Sequence, residues 1–141
     1  MPDVSPTWPQ VTPSDLPAIL ALELKAGNIP FLHGSPSTAK SAQGRAFAKE
    51  YNLKYLDIRM SQIQAEDLLG FPRINKDGPR AISEHVPFDF LPLEHTPIPE
   101  GYTGWVIGWD EANACKDDSV QAAMYKIWHE REVGAYKLHP N

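Results

Sequence analysis

The chain has 141 residues, a formal net charge of −5, 42% hydrophobic and 22% charged residues. At about 100–200 residues per domain this length allows one domain with one core, and the near-average composition excludes wholesale disorder and a coiled coil. The acidic balance excludes broad, non-specific grip on nucleic acid, and the single cysteine, Cys115, excludes a disulfide framework or a multi-cysteine zinc site.

No apolar stretch approaches the roughly 18 residues of a membrane span and no charged-then-apolar leader opens the chain, so a cytoplasmic protein is expected. The unusual count is 14 prolines. Pro2, Pro6, Pro9, Pro13 and Pro17 crowd the start, and residues 1–13 read as an extended arm, because each proline fixes its own φ and drives its predecessor out of the helical region.

Ser14 and Asp15 are N-cap candidates for a helix carrying Leu16, Ile19, Leu20 and Leu24 at helical spacing, with Gly27 as its stop. Asn28 to His33 is an apolar run of strand length. A turn-rich loop, Gly34 to Ala39, leads into a helix over 40–51 with Ala42, Ala46, Phe47 and Tyr51 on one face. Lys54–Ile58 is a second strand candidate, and Gln64–Leu69 a short helix ended by Gly70. Residues 71–103 are rich in proline and poor in periodicity, too long for an ordinary connection, with a small hairpin around Arg80–Ser83. Gly104–Trp109 is the third strand candidate. Val120, Ala123, Met124, Ile127 and Trp128 then form a helical stripe. The alternation predicts an α/β fold with a mostly parallel sheet.

The string Gly34-Ser35-Pro36-Ser37-Thr38-Ala39-Lys40-Ser41 matches G-x-x-x-x-G-K-[ST] at three of four fixed positions, with Ala39 in place of the second glycine. Its predicted context, strand before and helix after, suits a phosphate cradle. Backbone N–H groups converge at a helix N-terminus, where the helix dipole also favours negative charge. Lys40 would add its charge against the outer phosphates and Ser41 its hydroxyl to Mg²⁺. An ordinary Ser/Pro turn capping a helix would give a similar string. If the backbone needs φ > 0 at Ala39, alanine carries strain of about 1 kcal/mol or more.

Asp110-Glu111 ends the third strand candidate, where an open parallel sheet presents carboxylates to its ligand crevice. Asp110 would serve Mg²⁺ and Glu111 would activate water; a strand ending in a solvated turn explains the pair equally simply. Trp109 is expected to pack rather than to stack on a base.

Together these stretches resemble the AAA+ ATPases, in particular the MoxR-like and dynein-related branch often found beside von Willebrand factor A proteins. The loop ending Ala39-Lys40-Ser41 is similar to that family's Walker A, and Glu66-Asp67-Leu68-Leu69-Gly70-Phe71 to its D-L-x-G element. Trp109-Asp110-Glu111-Ala112-Asn113-Ala114 is similar to its Walker B, D-E-x-N-R-A, with Ala114 replacing the arginine. Val120–Ala123 and Glu130-Arg131-Glu132-Val133-Gly134 are similar to the helix that follows and its exit.

The resemblance covers about residues 15–138 and implies a P-loop NTPase core within 14–141. It implies ATP and Mg²⁺ as cofactors, with Gly34 to Ser41 on the phosphates, Ser41 and Asp110 on the metal, and Glu111 catalytic. It further implies a homo-oligomeric ring and a remodelled protein partner, such as a von Willebrand factor A protein.

The sensor-1 strand, arginine finger and helical lid of that family are not represented, so turnover by this segment alone is expected to be weak or nil. In the family's strand order, 5-1-4-3-2, a fourth strand lies between those of Phe31 and Ile107. Its place is expected to be taken by further chain, by a partner's strand, or by direct pairing of the first and third. A second reading, a binding or interaction module derived from the ATPase core, stands beside the enzyme. His33, His85, His95, His129 and His139 lack metal-ligand spacing, no G-x-S-x-G elbow occurs, and Asp117-Asp118 read as helix caps. The cations Lys76, Arg80 and Lys137 are too dispersed to mark a nucleic-acid groove.

Overall fold

The computed structural model describes residues 9–35 and 39–140, so most of the proposed arm, Trp8 included, lies outside the described residues. The chain divides into two compact units, Met1–Phe47 and Ala48–Asn141.

In the first unit, α1 (Leu16–Lys25) begins with Pro17 in its first turn and stops before Gly27, whose φ of +81° suits glycine alone. Asp15 occupies the N-cap but makes no capping hydrogen bond; its carboxylate accepts from the Thr12 hydroxyl at 2.6 Å. Leu20 is buried, whereas Ile19 and Leu24 are exposed, so the predicted apolar stripe is only partly used.

The Asn28–His33 run is not a strand. No described residue pairs with it, Pro30 withholds a donor, and Ile29 and Phe31 stay exposed. A strand exists through its ladder, and apolar sequence without a neighbour leaves only extended backbone.

The helix α2 (Lys40–Glu50) starts at the predicted residue and crosses from the first unit into the second. Its buried residues are Phe47 and Ala48; Ala42, Ala46 and Tyr51 are exposed, which corrects the predicted face.

In the second unit, β1 (Leu53–Arg59) pairs in parallel with β4 (Gly104–Asp110), in register from Leu53↔Gly104 to Arg59↔Asp110. Direct pairing of the first and third strand candidates is therefore not found; β4 takes the second as its ladder partner. Leu56, Ile58, Ile107 and Trp109 lie on the sheet face that meets the core. There Ile58, Met60, Leu68, Leu91, Val120, Met124, Ile127 and Val133 form one apolar cluster. Trp109 packs edge-on against Trp128, with ring centroids 6.1 Å apart, a packing role as expected.

The short helix α3 (Ala65–Leu69) carries a reciprocal capping box between Gln64 and Asp67 and ends at Gly70, φ +88°. A Cβ on Gly70 would sit 2.5 Å from the Val86 carbonyl oxygen, so both conformation and space demand glycine there. The helix α4 (Asp118–Glu130) buries Val120, Ala123, Met124 and Ile127, the predicted stripe. Asp117 caps it by accepting from the Ser119 and Val120 amides.

The proline-rich stretch is more ordered than its composition suggests. It contains an antiparallel hairpin, β2 (Phe71–Asn75) with β3 (Ile82–Val86), longer than the one predicted around Arg80–Ser83. Beyond it Leu91 and Leu93 are buried at 2% and 7% exposure, one on each side of Pro92. That segment runs beside the end of the chain: the Glu94 amide donates to the Lys137 carbonyl and the His139 amide to the Pro92 carbonyl. A last small hairpin, β5 (Glu132–Val133) with β6 (Tyr136–Lys137), follows α4. Among the described residues the result is a small α/β chain whose parallel sheet has two strands, supplemented by two antiparallel hairpins. Among the described residues no helix is long and apolar enough to cross a membrane.

Candidate functional site

The phosphate-loop residues belong to the first unit. Pro36, Ser37 and Thr38 lie outside the described residues; Gly34, Ser35, Ala39, Lys40 and Ser41 lie within them. Ala39 adopts φ +56°, the left-handed region, immediately before the first residue of α2. The position does require positive φ, so alanine is strained where the motif has glycine. The Lys40 ammonium donates to the Gly34 carbonyl at 2.9 Å and the Ser35 carbonyl at 3.0 Å. These bonds tie Lys40 to carbonyls six and five residues earlier. Ser41, in the first turn of α2, is half-buried.

The acidic pair belongs to the second unit, at the carboxyl end of β4. Asp110 is the last residue of the strand, and its carboxylate accepts from the Glu111 amide at 3.0 Å. Glu111 lies at φ +57°, ψ +32°, again left-handed, and opens a single 3₁₀ turn, Ala112–Ala114. That abrupt turn ends the strand and sends the two consecutive carboxylates in different directions. The Glu111 carboxylate accepts from the Ser61 hydroxyl at 2.6 Å.

Ser61 was missed in the sequence. It stands in the 3₁₀ turn Met60–Gln62 directly after β1, and becomes a neighbour of Glu111 only because β1 and β4 are adjacent and parallel. A hydroxyl two residues past a strand end was the available signal. Arg59, likewise overlooked, is the register partner of Asp110. Ala114, at the position of the family's arginine, is exposed and closes the turn through its amide to the Glu111 carbonyl at 2.8 Å.

Among the described residues no group of three or more His, Cys, Asp and Glu side chains could hold a metal ion.

Cys115 is buried and its thiol is directed at the Asp117 carbonyl, a packed side chain rather than a nucleophile. No family model matches the chain, and no curated protein and no solved structure is significantly similar to it.

Proposed function

We propose that the chain is an ATP-binding module of the AAA+ type, which with Mg²⁺ hydrolyses ATP and uses the energy to remodel a protein partner within a homo-oligomeric ring. The observation that carries this reading is the pair of hydrogen bonds from the Lys40 ammonium back to the Gly34 and Ser35 carbonyls. A turn that merely capped a helix would not need an ammonium folded back on carbonyls six and five residues upstream. A phosphate-binding loop uses a lysine charge held beside the amides that open its helix.

In this reading Gly34 to Ser41 bind the phosphates, Ser41 and Asp110 hold Mg²⁺, and Glu111 accepts a proton from the attacking water. Ser61 fixes the direction of that carboxylate. The partner is a protein, with a von Willebrand factor A domain as the first candidate by resemblance.

Equilibrium binding of Mg·ATP tests the site. The Lys40→Ala variant is expected to lose affinity by tenfold or more, since a charge-assisted contact contributes about 1.5–3 kcal/mol; equal affinity in both chains rejects the reading. Phosphate release by the full assembly, compared with the same assembly carrying Glu111→Gln, tests the chemistry, and unchanged release clears Glu111 of its role.

A second reading, a nucleotide-binding or interaction module without turnover, is favoured by one observation. Alanine stands at a positive-φ position of the loop where glycine would be unstrained. Binding of Mg·ATP with no phosphate release by the full assembly above that of Glu111→Gln selects it.

A further inference from the structure

The ladder to β4 occupies one edge of β1 over its whole length, and among the described residues no strand pairs with the other edge. Alternate residues of such an edge turn their N–H and C=O groups away from the ladder, a template for a further strand. Asp57, Ile58 and Arg59 line an open cleft of about 450 Å³ together with Gln62, Ile63 and Phe90. Successive side chains of a strand point to opposite faces, so three consecutive residues share a cleft only where it runs along the strand's edge. No residue of β4 lines this cleft, which puts it on the unpaired side.

The two faces of that edge differ in chemistry. Ile58 is 4% exposed and belongs to the apolar cluster, against which the half-buried Ile63 and Phe90 pack. Asp57 and Arg59 stand on the opposite face of the strand, both exposed. Among the described residues the Arg59 guanidinium makes no hydrogen bond and no ion pair. Its planar fork matches a carboxylate.

We propose that this edge docks an extended peptide of a protein partner, added to β1 as an antiparallel strand with the order acidic, apolar, basic. Main-chain hydrogen bonds hold such a strand, and the side chains of alternate residues select it. The acidic residue stands opposite Arg59 and the basic residue opposite Asp57. The apolar residue between them stands opposite Ile58, on the side of Ile63 and Phe90. Opposite charges facing one another across strands stabilise a pair, and like charges destabilise it. The chain's own Asp57-Ile58-Arg59 has the same order, but three rungs, about 10 Å of strand, give far less contact than the roughly 1,200 Å² or more of a stable dimer. A peptide fits where a folded copy would not be held.

Docking here rests on the reading above only for the partner being a protein to remodel, and it needs no nucleotide. The probe is a capped, dye-labelled threonine peptide carrying Glu-Val-Lys at its centre, titrated with the full chain and followed by fluorescence anisotropy. Saturable binding is expected, and Lys-Val-Lys at the same place should bind about fivefold more weakly. Arg59→Glu should reverse that order, which a merely structural arginine would not do. N-methylation of the central valine, or of both its charged neighbours, should abolish binding in one of the two cases, because an added strand bonds through alternate residues.

Three results on the wild-type chain overturn the proposal, whether or not Arg59→Glu folds: no saturable binding, equal affinity for the two peptides, or indifference to both methylation patterns. A dimer in sedimentation that the peptide does not dissociate gives the edge to a second copy and overturns it as well. Lys40→Ala separates the two claims. If it loses Mg·ATP while the wild type binds no peptide, only the docking edge is rejected; if it keeps Mg·ATP while the peptide binds as expected, only the nucleotide site is.

Discussion

The Ser61 hydroxyl donates to the Glu111 carboxylate at 2.6 Å, joining the turns that follow two adjacent parallel strands. Fifty residues of chain separate the partners. The contact fixes where the second carboxylate of the acidic pair points, independently of Asp110, which is engaged with the Glu111 amide.

Ser61→Ala removes that donor and leaves the carboxylate to solvent. A general base contributes about 10²–10⁴ to a rate, and its orientation is part of that factor. Phosphate release by the full assembly under saturating Mg·ATP is expected to fall about tenfold while the dissociation constant stays within twofold. A Ser61→Thr variant, which keeps the hydroxyl, should retain most of the rate.

Ala39 is held at φ +56°, where a Cβ costs about 1 kcal/mol or more. Ala39→Gly relieves this strain but adds freedom to the unfolded chain, so a net gain of about 0.5 kcal/mol is expected in denaturant unfolding. Mg·ATP affinity should be equal or higher. Ala39→Val, with a β-branched side chain at the same φ, should lower both stability and affinity.

Leu91 comes from the proline-rich stretch, yet is 2% exposed within the apolar cluster of the second unit. Leu91→Ala is expected to cost about 2–5 kcal/mol, the range for truncating a fully buried leucine. Leu22→Ala, at a leucine that is 68% exposed, should change stability by less than about 0.5 kcal/mol. Urea unfolding of the two variants checks the contrast.

Hydrogen bonds from the Ser119 hydroxyl, the Ser119 amide and the Val120 amide hold the Asp117 carboxyl below its ordinary value of 3.8. A lowered folded-state pKa means that the cap's contribution is complete above the unfolded value, near 3.8. It fades as pH falls through the lower folded value. Thermal melts followed by helix signal should therefore show α4 losing stability below about pH 4. Asp117→Ala should melt lower at neutral pH and show a shallower acid limb.

Local elements were legible where their signals are local. The α2 start at Lys40, the Gln64–Asp67 capping box with Gly70 behind it, the Asp117 cap and the buried stripe of α4 all depend on neighbours within about one turn. The elements that were misread depend on a partner distant in the chain. Asn28–His33 has strand composition but no ladder, and strand composition alone satisfies no backbone group. Leu91-Pro92-Leu93 has loop composition yet enters the core, because residues 137–139 supply its hydrogen bonds.

The same division runs through the candidate site. Gly34, Lys40, Ser41, Asp110 and Glu111 stood out because their chemistry is written in short strings. Amino-acid order also determined that a residue with a Cβ must occupy the bend before Lys40; whether that bend is left-handed was decided by the fold. Only the parallel pairing of β1 with β4 brought Ser61 to Glu111 and set Arg59 in register with Asp110. Such contacts arise from strand adjacency, a property of the sheet as a whole, and no window of sequence contains both members.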